Sequence, residues 1–101
     1  MLNVALVGFG YWGPNIARNI NNNPNLNLHT ICDMIDENLE KAHKIYASST
    51  NYEKDFNKVL EDKTIDIVAI ATQTSSHYYL INQALVAFKN VYVEKPFTAT
   101  L

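Results

Sequence analysis

The stretch Val4-Ala-Leu-Val-Gly-Phe-Gly-Tyr-Trp-Gly-Pro-Asn15 decides how the rest of the chain is read. An apolar run stops at Gly8, and glycine recurs at Gly10 and Gly13; the chain has 3 glycines in all. Turns and helix ends elsewhere manage without one, so these three mark places where a side chain is not accepted. The spacing G-x-G-x-x-G sits between a strand-like run and a helix-like run. In a strand–turn–helix that holds a dinucleotide, each glycine has a task. Gly8 turns the chain sharply, Gly10 lets the backbone approach a pyrophosphate, and Gly13 lets the helix lie close to the strand. Pro14 falls in the first helical turn, where its missing N–H costs nothing. The unpaired N–H groups and partial positive charge of that helix terminus suit a diphosphate. A tight strand-to-helix turn with no ligand is the plain alternative.

Size and composition set the frame. At 101 residues the chain is expected to be one dinucleotide-binding domain, 1–101. With 48% hydrophobic and 18% charged residues, it has the balance of an ordinary globular protein. Eight basic against 10 acidic residues, without a basic cluster, argue against a nucleic-acid partner. Cys32 stands alone, which leaves no disulfide frame and no cysteine metal site; it is expected as a small buried strand residue. No apolar run reaches the roughly 18 residues a membrane span needs, and no basic leader precedes the first strand. A cytoplasmic location is the resulting expectation.

Outward from the glycines, strand and helix patterns alternate. Leu2–Val7 reads as a buried strand and Pro14–Asn22 as a helix burying Ile16, Ala17 and Ile20. Asn21–Asn25 is a helix stop and turn around Pro24. Leu26–Cys32 is a second strand with Leu26, Leu28, Thr30 and Cys32 alternating. Asp36 is expected to cap a helix over residues 37–46, with Leu39, Ala42, Ile45 and Tyr46 inward. Ser48–Asn51 is a short edge strand and Glu53–Glu61 a helix burying Phe56, Val59 and Leu60; Asp62–Thr64 is a loop. Asp66–Thr72 is a fourth strand. Ser75 or Ser76 is expected to cap a helix over residues 76–88, with Leu80, Ile81, Ala84 and Leu85 inward. Val91–Val93 is a fifth strand, and Thr98–Leu101 opens a further helix.

This alternation predicts an α/β fold, a doubly wound parallel sheet of about five strands that stops before a sixth. In such sheets a ligand lies beyond the carboxyl ends of the strands, where strand order reverses. The glycines, Asp33, Thr72–Thr74 and Glu94–Pro96 each come after a strand end, so all four clusters are expected around one crevice.

Asp33 lies 20 residues beyond Gly13, at the tip of the second strand. A carboxylate there accepts hydrogen bonds from both hydroxyls of an adenosine ribose. It also repels a 2′-phosphate, and Met34 and Ile35 offer no cation to offset that, so NAD is favoured over NADP. Capping the next helix is the alternative role, for which Asp36 is better placed. His77, in the first turn of a helix, is by itself more often a surface or capping residue. His29 and His43 have no carboxylate or cysteine at ligand spacing. Lys95, after a buried strand and stiffened by Pro96, can place a positive charge near a substrate oxygen or donate a proton; a solvated loop charge is the other reading. Tyr11 and Trp12 are expected to pack, with their backbone N–H groups mattering more to a phosphate than their rings.

Three stretches taken together, Val7–Asn15, Ala71–Tyr78 and Val91–Phe97, resemble the Gfo/Idh/MocA oxidoreductase family over essentially the whole chain. The resemblance implies an NAD(P)-dependent dehydrogenase of sugars or cyclitols; from the lack of a long apolar run, no membrane partner is expected. It implies that Lys95 reaches the nicotinamide ribose and substrate as the catalytic residue. It implies a cofactor lining from Gly8, Phe9, Gly10, Tyr11, Trp12, Gly13, Asp33, Thr72, Thr74, His77, Glu94 and Lys95, and no metal. The Lys95–Pro96 bond is often cis in relatives. The run Gly10-Tyr-Trp-Gly-Pro-Asn15 looks most like members that oxidise nucleotide sugars. Gln73, Thr74 and Phe88 depart from the usual Pro, Asn and helix-ending Gly. Family members are longer, with a substrate domain and homo-oligomeric assembly, so this chain is expected to be an incomplete unit that binds a dinucleotide without turnover. A non-enzymatic nucleotide-sensing module on the same fold is the competing reading.

Overall fold

The computed structural model describes residues 1–72, 74–87 and 89–93. Five strands, β1 (Leu2–Val7), β2 (Leu26–Cys32), β3 (Asn51–Glu53), β4 (Ile67–Ile70) and β5 (Asn90–Val93), form one sheet in the order β3-β2-β1-β4-β5. Every pairing is parallel. Four helices connect them: α1 (Gly13–Asn22), α2 (Asp36–Tyr46), α3 (Phe56–Glu61) and α4 (Thr74–Val86). No helix among the described residues is long and apolar enough to cross a membrane. Strand order runs outward from β1 in both directions, so the switch point lies between β1 and β4, as the α/β reading expects.

Two cores flank the sheet. Val4, Leu6, Leu28, Ile31 and Ala69 meet Ile16, Ala17 and Ile20 of α1 and Ala42 of α2 on one face. Ala5, Val7, Cys32, Val68 and Ile70 meet Val59 of α3 and Leu80 and Ala84 of α4 on the other. β1 feeds both, which is why its residues from Val4 to Val7 are apolar without alternation.

The simple alternation expected of β2 does not hold. The register slips between Val4↔Leu28 and Ala5↔Thr30, leaving His29 as an extra residue. A bulge of this kind reverses the facing of the strand residues beyond it. Leu28 and Ile31 therefore share one core, and Cys32 turns to the other.

Helix ends also differ from expectation. α2 begins at Asp36 with Ile35 at its N-cap and no side-chain cap bond. Asp36 instead pairs with Lys54 at 3.0 Å on the surface. Only Ala42 of the α2 stripe is buried, and Ile45 is exposed because α2 leans on a short edge strand. The residues expected as edge strand begin as a 3₁₀ turn, Ala47–Ser49, and β3 itself is Asn51–Glu53. Ala47 takes a positive φ of 48° as the α2 cap, where glycine is the usual choice. α3 starts late because Asp55 caps it, accepting from Asn57 N at 2.9 Å. β4 is shorter than read, Ile67–Ile70, and α4 begins at Thr74, so Ser75 and Ser76 lie inside its first turn rather than at its cap. Leu85 is exposed. β3 and β5 are the sheet edges among the described residues. The Thr98–Leu101 helix, the isomer of the Lys95–Pro96 bond, Gln73 and Phe88 lie outside the described residues.

Candidate dinucleotide site

The carboxyl ends of the strands are level. Cys32, Val7, Ile70 and Val93 are register partners in one row. Parallel strands stand about 4.8 Å apart, so the row is roughly 14 Å wide. The ladder runs one residue further: Gly8 N donates to Cys32 O, and Ala71 N to Val7 O, each at 2.8 Å. Gly8, Asp33 and Ala71–Thr72 thus stand side by side at the switch point.

The glycines divide by what surrounds them. Gly8 has φ +103°, and a Cβ there would stand 3.0 Å from the Ala71 carbonyl group and from Thr72 Cγ2. A Cβ on Gly13 would run into the Gly8 carbonyl oxygen. Both glycines are thus demanded by the protein's own packing. Gly10 is exposed, and a Cβ there would meet nothing nearer than Asn38 Nδ2, at 3.8 Å. Among the described residues nothing fills the space that a side chain at this position would take.

α1 starts beside this opening, with Pro14 in its first turn as expected. Phe9 is fully buried, so only its backbone is available to a ligand. Trp12 packs against the core of the α1 face, whereas Tyr11 is 82% exposed and touches Trp12 edge-on at 4.7 Å. The packing role expected of the aromatic pair is thus met by Trp12 alone.

Asp33 ties the site together. Its Oδ2 accepts from Phe9 N at 2.8 Å and from Asn38 Nδ2 at 3.0 Å, and its Oδ1 accepts from Ile35 N at 2.9 Å. The carboxylate is therefore bound to the glycine loop itself. Met34 and Ile35 are exposed and apolar beside it. Asn38, which the sequence does not single out, is brought against Asp33; its signal is a neutral amide five residues past Asp33, in the first turn of the next helix.

Cys32, one residue before Asp33, is buried, and its thiol is pushed up to about 12. Burial is the main cause, with Glu53, Asp33 and Asp55 adding to it. It is a core residue, as its strand position predicts, and carries no chemistry at neutral pH. Thr74 and His77 fall in the first turn of α4, after β4; their side chains, and Glu94 and Lys95 entirely, lie outside the described residues. Two other concavities among the described residues do not include the glycine turn or Asp33. One of about 280 Å³ lies on the α1 face between Ile16, Ile20, Ile67 and Tyr92; one of about 120 Å³ lies between Thr30, Tyr52, Lys58 and Ile65.

A family described as an oxidoreductase family with an NAD-binding Rossmann fold, Gfo/Idh/MocA, matches residues 2–101. The chain belongs to this family. It is 30% identical over 109 residues to glycosyl hydrolase family 109 protein 1 of Bacteroides fragilis, covering 100% of this chain and 24% of that protein. It is 27% identical over 100 residues to the inositol 2-dehydrogenase of Salmonella typhimurium, covering 98% of this chain and 30% of that protein. The crystal structure of scyllo-inositol dehydrogenase from Lactobacillus casei, with bound NAD(H) and scyllo-inositol, superposes with a TM-score of 0.83 at 28% identity, over 95% of this chain and 28% of that one. The chain therefore spans about a quarter to a third of the length of these Gfo/Idh/MocA relatives. The fold is that of the NAD-binding domain in this family of oxidoreductases.

Proposed function

We propose that the crevice holds NAD for a dehydrogenase acting on a sugar or cyclitol. The observation that carries this reading is the unfilled space at Gly10 beside a loop-bound carboxylate at Asp33. In it, the Gly8–Gly13 backbone and the start of α1 take the diphosphate, with Tyr11 and Trp12 contributing main-chain N–H groups, while the Phe9 N–H fixes Asp33 beside them. Asp33 takes the adenosine ribose. Thr72, Thr74 and His77, which follow β4 in sequence, and Glu94 and Lys95, which follow β5, are the further residues assigned to the cofactor. Bound NAD supplies a hydride acceptor. Lys95, by its place directly after β5 in Glu94-Lys-Pro96, holds the substrate oxygen and its proton. The run Gly10–Asn15 supports a nucleotide sugar as the finer substrate class, and likeness to the inositol 2-dehydrogenase supports a cyclitol.

Likeness to a glycosyl hydrolase favours a second reading, in which the same domain borrows a hydride and returns it within one turnover. Full-length protein given its substrate would then release hydrolysis product without accumulating NADH; a simple dehydrogenase accumulates one NADH per product.

Calorimetric titration with NAD and NADP tests the site. Asp33→Ala is expected to weaken NAD by about tenfold or more, the weight of a hydrogen bond to a charged group, and to narrow the gap to NADP. An unchanged NAD/NADP ratio overturns the ribose assignment. ADP binding as tightly as NAD, with Lys95→Ala silent toward both, favours a nucleotide sensor over a dehydrogenase.

A further inference from the structure

We propose that Asn38 is a second ribose-reading residue, which shares the adenosine diol with Asp33 and sets the preference for a free 2′-hydroxyl. The proposal rests on Asp33 being the ribose carboxylate. A carboxylate offers about four acceptor positions. Oδ2 already accepts from Phe9 N and Asn38 Nδ2, and Oδ1 from Ile35 N. One position, on Oδ1, is left for a diol that brings two donors. A second acceptor must come from nearby.

Asn38 is placed to supply it. Its Nδ2 lies 3.0 Å from Asp33 Oδ2, and it is also the nearest atom to a Cβ built on Gly10. The side chain therefore stands between the carboxylate and the open flank of the glycine loop. Only the NH₂ end of an amide can face a carboxylate oxygen, which fixes the opposite end as Oδ1. Among the described residues, Asn38 Oδ1 accepts no hydrogen bond. A half-buried amide with one N–H spent on Asp33 and its carbonyl oxygen unspent matches the missing partner of a ribose hydroxyl. A 2′-phosphate brings oxygens that only accept at neutral pH. It would meet the Asp33 carboxylate and the Asn38 carbonyl oxygen, and the one remaining Asn38 N–H is too little to offset that repulsion.

Calorimetry of the chain with ADP, 2′-deoxy-ADP and adenosine 2′,5′-bisphosphate tests this. Wild-type protein is expected to bind ADP about tenfold or more tightly than 2′-deoxy-ADP. Asn38→Ala is expected to erase most of that ratio, whereas a general loosening of the fold would weaken both ligands alike. Asn38→Asp, which keeps an acceptor but loses the N–H that holds Asp33, is expected to retain a larger part of the ratio than Asn38→Ala. An equal loss in both means that Asn38 acts only by positioning Asp33. Asn38→Lys is expected to shift the preference toward the 2′,5′-bisphosphate. A wild-type ADP/2′-deoxy-ADP ratio in Asn38→Ala overturns the proposal. If Asp33→Ala still erases the ratio, Asn38 alone is misassigned; if Asp33→Ala keeps it too, the ribose site itself falls.

Discussion

Gly10 and Gly13 stand three residues apart and answer to different constraints. Gly13→Ala drives a methyl into the Gly8 backbone carbonyl, which cannot move without disturbing β1. A loss of about 1–3 kcal/mol of stability is expected, read as a lower urea midpoint. Gly10→Ala adds a methyl into open space and is expected to leave stability within about 0.5 kcal/mol. The same methyl stands where the proposed site takes the diphosphate, so NAD affinity is expected to fall by about tenfold or more. Equal effects of the two substitutions on folding would contradict the division. The spacing of three glycines and the carboxylate 20 residues on were legible in the sequence because each arises from local backbone geometry. Asn38 was not, since its meaning depends on a contact with Asp33 and the loop that only folding creates. Asp36 misled for a related reason: an aspartate at a helix start looks like a cap, but the helix takes in Asp36 itself, with Ile35 at the N-cap.

Lys89 shows what holds the elements in register at the far end of the sheet. It is 8% exposed, and its Nζ donates to the carbonyl oxygens of Asp62 at 2.5 Å and Ile65 at 2.9 Å. The ammonium thus fastens the residue before β5 to the loop between α3 and β4. On the same loop, the side chain and backbone N–H of Thr64 hold the Asp62 carboxyl below its ordinary range. Lys89→Met strips two carbonyls of a charged partner and is expected to cost about 1–3 kcal/mol. The urea midpoint falls with an unchanged slope, and NAD affinity per folded molecule is unaffected because the latch lies at the amino ends of the strands. A selective loss of NAD binding without loss of stability would contradict that separation. Strand and helix order was legible at this scale from apolar periodicity alone. The His29 bulge was not, because one extra residue leaves the run Leu26–Cys32 looking like a regular strand. The sparse burial of α2 was likewise hidden: its apolar stripe gives no sign that a three-residue edge strand offers little to cover it.

The sheet as a whole converts a linear order of motifs into a place. Chain reversal at β1 brings the glycine turn, the β2 tip and the β4 end into one row, and β5 extends it. That convergence is the central claim, and it separates the carboxyl ends of the strands from the concavities elsewhere on the surface. It is tested most directly by monitoring backbone amide resonances as NAD is added. Shifts are expected at Gly8–Gly13, Asp33–Asn38 and Ala71–Thr72, with Phe9 prominent because its N–H is bound to Asp33. Asn23–Leu26 and Asp62–Asp66, at the amino ends, are expected to stay still. Shifts confined to those amino-end segments, with the glycine turn silent, would contradict the account.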